Sequence, residues 1–583
     1  MTTLNILIAI AIIPLSISVL VPILQKTINL PPNLLFPLST VLSLGIYSLI
    51  FSLVAFYGMN STKAWLILAL LWTTTIYFGQ KPEKSSIFIY WSNLKSQSNN
   101  IIYVIAIVII FLIITAQATY YPFTGDDEIS RYAYFAKLLF ENGYLLDTIR
   151  GYPFMLPALY ASNFYMSGHI IEQVVKIYPV VIALMTVCAT YGLALYWFNK
   201  KTAYISALIL AATPLFIHWA PIGYVDIASG LCLTICAFSV AIWNKTPNLK
   251  WSLIIGMIVG ICLWTKQSGF VAFIPLAIIL SHKLMSAYKL KQNRFLYQLI
   301  TQSIIIICCS IIFGGWWYFR NIYYDGLELA IPNAGLYHIM QSNNDISHLI
   351  PFIGNYKHFG FVTSPIYIVG LIWTIYKNKL HPNQTILIWC LPLTLLWWWQ
   401  FSFDSRFLLN VLPFYAIMAG STLNQITSKL QNLHNTLSYQ IATRLLIIII
   451  VIVGLIQARL GGIIQWVINP NASYAEKLYR SKGDLYPTVE YLLEHTNETD
   501  RIYSTDGRIR YYIKQPITIG YPSLSELLEY DIFVIGSRAQ LVYDFISSNN
   551  SNTITDLRNK TESQIIYTGP NRKISVYKIN KDQ

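Results

Sequence analysis

Residues 101–140 read IIYVIAIVIIFLIITAQATYYPFTGDDEISRYAYFAKLLF. The stretch from Ile101 to Thr119 carries no charge. As a helix rising about 1.5 Å per residue, it is long enough to cross a bilayer core of about 30 Å. Three consecutive acids, Asp126, Asp127 and Glu128, follow almost at once. After them, apolar residues recur at helical spacing: Ile129, Tyr132, Ala133, Ala136, Leu139 and Phe140. The order is thus a membrane span, an acidic turn and an amphipathic helix expected to lie along the membrane surface, with the acids at its N-terminus, where the helix dipole favours negative charge.

Apolar runs of the same kind recur near 4–24, 34–57, 63–79, 174–198, 203–219, 227–243, 251–265, 268–282, 297–317, 362–376, 384–400, 407–426 and 445–466, giving about fourteen spans. The whole chain fits this reading. Of 583 residues, 55% are hydrophobic and only 11% charged, against about 25% charged in soluble globular proteins. An ordinary soluble enzyme and a disordered chain are excluded. The N-terminus has neither the basic region nor the small-residue cleavage site of a signal peptide, so it is expected to be a first span.

The net charge of +14 is unevenly placed. Residues 467–583 hold 14 basic and 14 acidic side chains, whereas residues 1–466 hold 26 basic and 12 acidic. The expected organisation is three N-terminal spans (1–99), a membrane core with two long loops at 120–173 and 318–361 (100–466), and a water-soluble domain (467–583). With the N-terminus outside, sixteen basic residues and a single acid, Glu83, fall in the cytoplasmic loops. That is the bias expected of a correctly oriented multi-pass protein. It makes the positive charge a topology signal and not a nucleic-acid signal. Both long loops, the C-terminal domain and almost every acid are thereby placed on the extracytoplasmic side. All seven cysteines fall in or at the ends of spans, so no disulfide framework is expected in the soluble domain. No histidine spacing suggests a metal site; whether a divalent metal is needed is left open.

The segment Asp127-Glu128-Ile-Ser-Arg131-Tyr132-Ala-Tyr-Phe135-Ala136 resembles the DE-x-x-R-Y-A-x-x-A loop of GT-C glycosyltransferases. It is closest to family 39, with its protein O-mannosyltransferases and lipid A aminoarabinose transferases. Four more segments resemble that family in order: 214–226 (PLFIHWAPIGYVD), 260–269 (GICLWTKQSG), 315–321 (GWWYFRN) and 405–413 (SRFLLNVLP). Tyr152–Pro157 lacks the lysine of the family's K-P-P-L segment, and Gly315 or Trp316 stands where the family has Pro.

The resemblance implies a polytopic helical GT-C fold. It implies transfer of a hexosyl or pentosyl group from a polyprenyl-phosphate carrier, with no cofactor beyond that donor, to a glycan, lipid or protein acceptor. The bacterial inner membrane is the expected location by the same analogy. Such a transfer needs a base for the acceptor hydroxyl and cations for the departing lipid phosphate. Asp127 matches the family's aspartate and is the expected base, with Asp126 the alternative. Glu128 and Arg131 would orient and neutralise the pair, and Asp226, at the outer end of a span, is a second acidic candidate. Lys266, Arg406, Arg320 and Arg131 are the candidate phosphate contacts. The tryptophans of 316–317 and 397–399 read more simply as interfacial anchors.

In residues 487–583, helical segments at 486–495, 523–530 and 538–548 alternate with strands at 501–505, 531–536, 564–568 and 573–579. This predicts a small α/β domain that binds acceptor, acts as a lid or serves stability. A lipid-linked glycan polymerase or ligase is the alternative enzyme. A transporter or flippase is the alternative from another class, though such folds place ionisable groups at mid-membrane and often carry repeats.

Overall fold

The structure is a computed structural model that describes residues 3–28, 30–79, 101–147, 149–330, 348, 350–377, 382–433, 436–458, 461–520, 526, 529–536 and 564–579. Two compact units divide the chain: Met1–Thr119 with Leu139–Ile464, and Tyr120–Leu138 with Gln465–Gln583.

The first unit is helical, and helix coincides with every one of the fourteen apolar runs. Seven helices among the described residues have the length and apolarity of a full span, with an eighth if Ile441–Gln457 and Gly461–Ile468 are taken together. The remaining runs are shorter, interrupted or less apolar. Pro214 cannot continue the helix Lys200–Ala212 and opens a new one instead, Pro214–Trp219. Polar starts are capped in the usual way: the Asn60, Asn199 and Asn248 side chains accept from the backbone N–H three residues on.

Burial divides the spans into two kinds. In Asp226–Lys245, 89% of the apolar window is covered by protein, against 22% in Gln267–Lys289 and in Asn293–Tyr324. The first is central; the others leave most of their apolar surface for lipid. Close helix approach depends on bare backbone. A Cβ on Gly260 would meet Phe313 Cβ at 2.7 Å and Ser310 O at 2.9 Å. The π-turn Ile311–Gly315 contributes Gly314 to the same contact, and a Cβ there would strike the Gly260 carbonyl. The glycine of the 260–269 segment therefore serves packing.

Among the described residues, the C-terminal part of the second unit contains the helices Tyr474–Lys482 and Leu485–His495 and a five-stranded sheet. Its strands are β1 (Ile502–Ser504), β2 (Ile517–Ile519), β3 (Ile532–Ile535), β4 (Gln564–Thr568) and β5 (Ser575–Lys578), in the order β2-β1-β3-β5-β4. β1 runs parallel to β2 and β3, while β5 is antiparallel to both β3 and β4. Leu485, Val489 and Leu492 from one helix pack on Ile502, Ile532, Val534 and Val576 of the sheet. Ser473 and Glu476 form a reciprocal capping box at the first helix. The expected α/β domain is present. β2 was not expected, because three residues between turns carry too little alternation to read. The helices expected at 523–530 and 538–548 lie largely or wholly outside the described residues.

Helix forms over the acidic loop as expected, as a π-turn Glu128–Ala133 continued by Tyr134–Asn142. Its environment differs from the expectation. Ile129, Tyr132, Ala133, Ala136 and Leu139 are buried by protein, so the apolar face expected to lie on the membrane is taken up by packing. Its residues as far as Leu138 also belong with the C-terminal domain, not with the membrane core.

Candidate active site

Within the helical unit, three interruptions of helix carry three of the charged residues singled out above. Asp226 opens the central helix Asp226–Lys245. Lys266 stands in extended backbone (φ −158°, ψ 148°) between the helix Leu249–Thr265 and the 3₁₀ turn Gln267–Ala272. Arg406 lies in a second 3₁₀ turn, Ser405–Asn410, whose start is capped by Asp404 accepting from the Arg406 N–H at 2.8 Å.

These side chains converge. Asp226 is 2% exposed. Its Oδ1 pairs with Lys266 Nζ, and its Oδ2 lies 3.5 Å from Arg406 Nε. Arg406 also reaches Asp404 Oδ2 at 3.4 Å. Aromatic rings close around the cations: the Arg406 guanidinium lies 4.4 Å from the Tyr224 ring centre and 5.2 Å from that of Trp219, and Lys266 Nζ lies 4.5 Å from the Phe407 ring. A narrow apolar cleft of about 10 Å³ adjoins, lined among others by Met155, Ile182, Trp219, Tyr224 and Ala228.

The close approach has a local cause. A Cβ on Gly230, one turn beyond Asp226, would sit 2.7 Å from the Leu409 carbonyl oxygen. Only glycine lets the central helix lie directly on the turn that carries Arg406. Ser405 in that turn is bonded to His358 Nδ1 from the 318–361 loop.

Arg320 is placed differently. It donates to Ile149 O at 3.1 Å, pairs loosely with exposed Asp147 at 3.8 Å and stacks 4.8 Å from the Trp317 ring. Its neighbour Asn321 donates to Gly151 O at 3.1 Å. The 315–321 segment therefore holds the 147–154 loop, and Trp317 is buried against Phe154, not exposed as an interfacial anchor.

In the second unit the three adjacent acids have three different fates. Glu128 is fully buried and turns back to accept from the Thr124 and Gly125 N–H groups at 2.8 and 2.9 Å. It thereby caps its own helix. Asp126 pairs with Arg508 at 2.8 Å and Lys482 at 3.6 Å. Asp127 lies 3.5 Å from Arg131 one turn on, with its side chain 28% exposed. Among the described residues no group of three His, Cys, Asp or Glu side chains could hold a metal ion.

Reading the sequence missed Asp404, Gly230, Lys482 and Arg508. Asp404 directly precedes the 405–413 segment and was within reach. The two basic residues of the C-terminal domain belong to no motif, and nothing in the sequence ties them to residue 126.

The arrangement defines a multi-pass helical membrane protein with buried charges gathered at helix ends beside an apolar cleft. Residues 152–313 match the family described as dolichyl-phosphate-mannose-protein mannosyltransferase. No curated protein matches the chain by sequence. By structure, the chain is similar to ArnT from Cupriavidus metallidurans in the apo state, with a TM-score of 0.53 at 13% identity over 82% of this chain and 98% of that one. The same protein bound to undecaprenyl phosphate gives a TM-score of 0.52 at 12% identity, over 81% of this chain and 97% of that one. The oligosaccharyltransferase of Archaeoglobus fulgidus in its apo form gives 0.49 at 13% identity, over 82% of this chain and 74% of that one. The chain has the GT-C fold, and the family match over 152–313, which takes in the 214–226 and 260–269 segments, agrees with the resemblance to family 39.

Proposed function

We propose that this protein transfers a sugar from a polyprenyl-phosphate carrier to an acceptor on the extracytoplasmic face of the membrane. The observation that carries this reading is the convergence of Lys266 and Arg406 on buried Asp226 beside an apolar cleft. Two cations so close would repel; the carboxylate keeps them together before any substrate arrives. A lipid phosphate entering there meets donors already in place, which is the form of stabilisation a leaving phosphate needs. The Arg406 guanidinium offers the planar fork that matches phosphate oxygens, and Lys266 a compact second charge.

In the reaction, the acceptor hydroxyl gives its proton to the Asp127 carboxylate while its oxygen bonds to the anomeric carbon. The bond from that carbon to the carrier phosphate breaks, and its electron pair leaves with the phosphate. The charge bias of the loops supports the extracytoplasmic placement, and the match to ArnT supports a lipid-linked donor.

The test uses the full chain in detergent with a panel of polyprenyl-phosphate sugars, following free polyprenyl phosphate. Wild type should release it with at least one donor, and Asp127→Asn should lower the rate by about 100-fold or more, the scale of a lost general base. Full transfer by Asp127→Asn would remove that residue from the mechanism. No release by wild type from any donor would refute the reaction and favour transport.

A further inference from the structure

The helix that carries Asp127 is gripped along one stripe by the C-terminal domain. Asp126 Oδ1 receives Arg508 at 2.8 Å. The Ser130 carbonyl accepts from Arg510 Nε at 3.1 Å and from its Nη2. The Arg510 guanidinium stacks 4.2 Å from the Tyr134 ring centre. Lys137 donates to Tyr511 O at 2.7 Å and lies 5.2 Å from that residue's ring. Positions 126, 130, 134 and 137 follow the i, i+4, i+8, i+11 rule and share one helix face. Their partners come from one short run, Arg508 to Tyr511, around the 3₁₀ turn Ile509–Tyr511. Lys482, nearly buried, ties the preceding turn by donating to Thr124 O and pairing with Asp126.

Burial makes this grip directional. Asp506 fixes Arg508 from behind through Oδ1 at 2.9 Å and Oδ2 at 2.6 Å. Burial opposes charge on Arg508, yet the two aspartates outweigh it and raise its pKa. Arg510 is pushed down to about 10 by burial, with Tyr134 opposing the fall and Arg131 adding to it. Asp127 and Arg131 are each one residue beyond a gripped position, about 100° round the helix.

We infer that residues 482 and 508–511 of the C-terminal domain form a clamp that sets the rotation of the first-loop helix, with Asp126 as its anchor and Asp127 as the carboxylate it presents. Arg508 and Arg510 are thus positioning residues, and the inference rests on the transferase reading for its catalytic half. It also separates two acids that sequence left as alternatives. Asp126 is held by two cations from another part of the chain, while Asp127 pairs within its own helix.

The experiment combines cross-linking with kinetics in the full chain. A Cβ on Gly507 would lie 3.4 Å from Ser130 Cβ, close to the spacing of disulfide-bonded cysteines. Ser130→Cys with Gly507→Cys should form a disulfide, read on gels after cleavage between the two positions. Failure to cross-link would overturn the clamp whatever the enzyme's activity. The cross-linked protein should keep at least half the wild-type rate of carrier release.

Asp126→Asn and Arg508→Gln should each lower kcat about tenfold with the donor KM unchanged, and the double variant should be no worse than the poorer single. The disulfide should restore most of the kcat lost in Arg508→Gln, since a positioning role can be supplied mechanically. No rescue, or additive losses, would overturn the positioning role. Abolished transfer in Asp126→Asn with transfer retained in Asp127→Asn would reverse the roles of the two acids. No carrier release by wild type would refute the transferase reading and the catalytic half with it, while the cross-link would still decide the clamp.

Discussion

Replacing Asp226 by Asn tests the buried cluster directly. The carboxylate is 2% exposed and stands between Lys266 and Arg406, whose side chains are themselves mostly covered. The amide keeps the shape but removes the charge that both cations share. Arg406 retains Asp404 at 3.4 Å, so Lys266 loses most. Breaking a buried ion pair from one side costs about 3–5 kcal/mol. The partial exposure of both cations favours the lower end, about 3 kcal/mol. At roughly 2 °C per kcal/mol for a large domain, the melting temperature in detergent should fall by about 6 °C. Lys266→Met should cost less, because Asp226 then keeps Arg406. The double variant should melt close to Lys266→Met, since it no longer strands a cation. Both single variants should weaken carrier release. Thermal unfolding followed by tryptophan fluorescence gives the first set of numbers. A loss below about 0.5 kcal/mol in Asp226→Asn, or equal and additive losses in the two single variants, would refute the reasoning.

Two further outcomes follow from local geometry. Gly230→Ala places a methyl 2.7 Å from the Leu409 carbonyl; the overpacking should cost about 1–3 kcal/mol and weaken donor binding by moving Arg406 off Asp226, read as a raised donor KM with unchanged expression. In the C-terminal domain, burial pushes the Asp484 carboxyl up, but the Asn571 and Lys573 N–H groups at 2.7 and 2.5 Å outweigh it and hold its pKa below the usual range. A depressed carboxylate contributes stability that is full above its unfolded pKa of about 3.9 and is lost as pH falls through the folded value. Hydrogen-exchange protection in the 569–574 turn, corrected for the slower intrinsic exchange in acid, should therefore fall in wild type as pH drops below about 3.9, and Asp484→Asn should remove that dependence.

The sequence by itself determined the membrane character, the helices under the apolar runs and most of the small α/β domain. These rest on properties read along the chain: uncharged length against bilayer thickness, strand-length runs of β-branched residues, and charge counted loop by loop. It also marked Asp226, Lys266 and Arg406, because ionisable residues at the ends of apolar helices are costly and stand out.

Only the tertiary structure decided which of the marked residues meet. Asp226 and Arg406 are 180 positions apart, and their contact depends on Gly230 letting one backbone lie on another. Arg320 carried the same signal, yet folds against the 147–151 loop. The three adjacent acids are equivalent as letters. They differ because Glu128 points back to its own helix start, Asp126 falls on the stripe facing Arg508, and Asp127 lies about a quarter turn further round. The partners of Asp126 lie more than 350 positions away, and no local pattern in the chain records them.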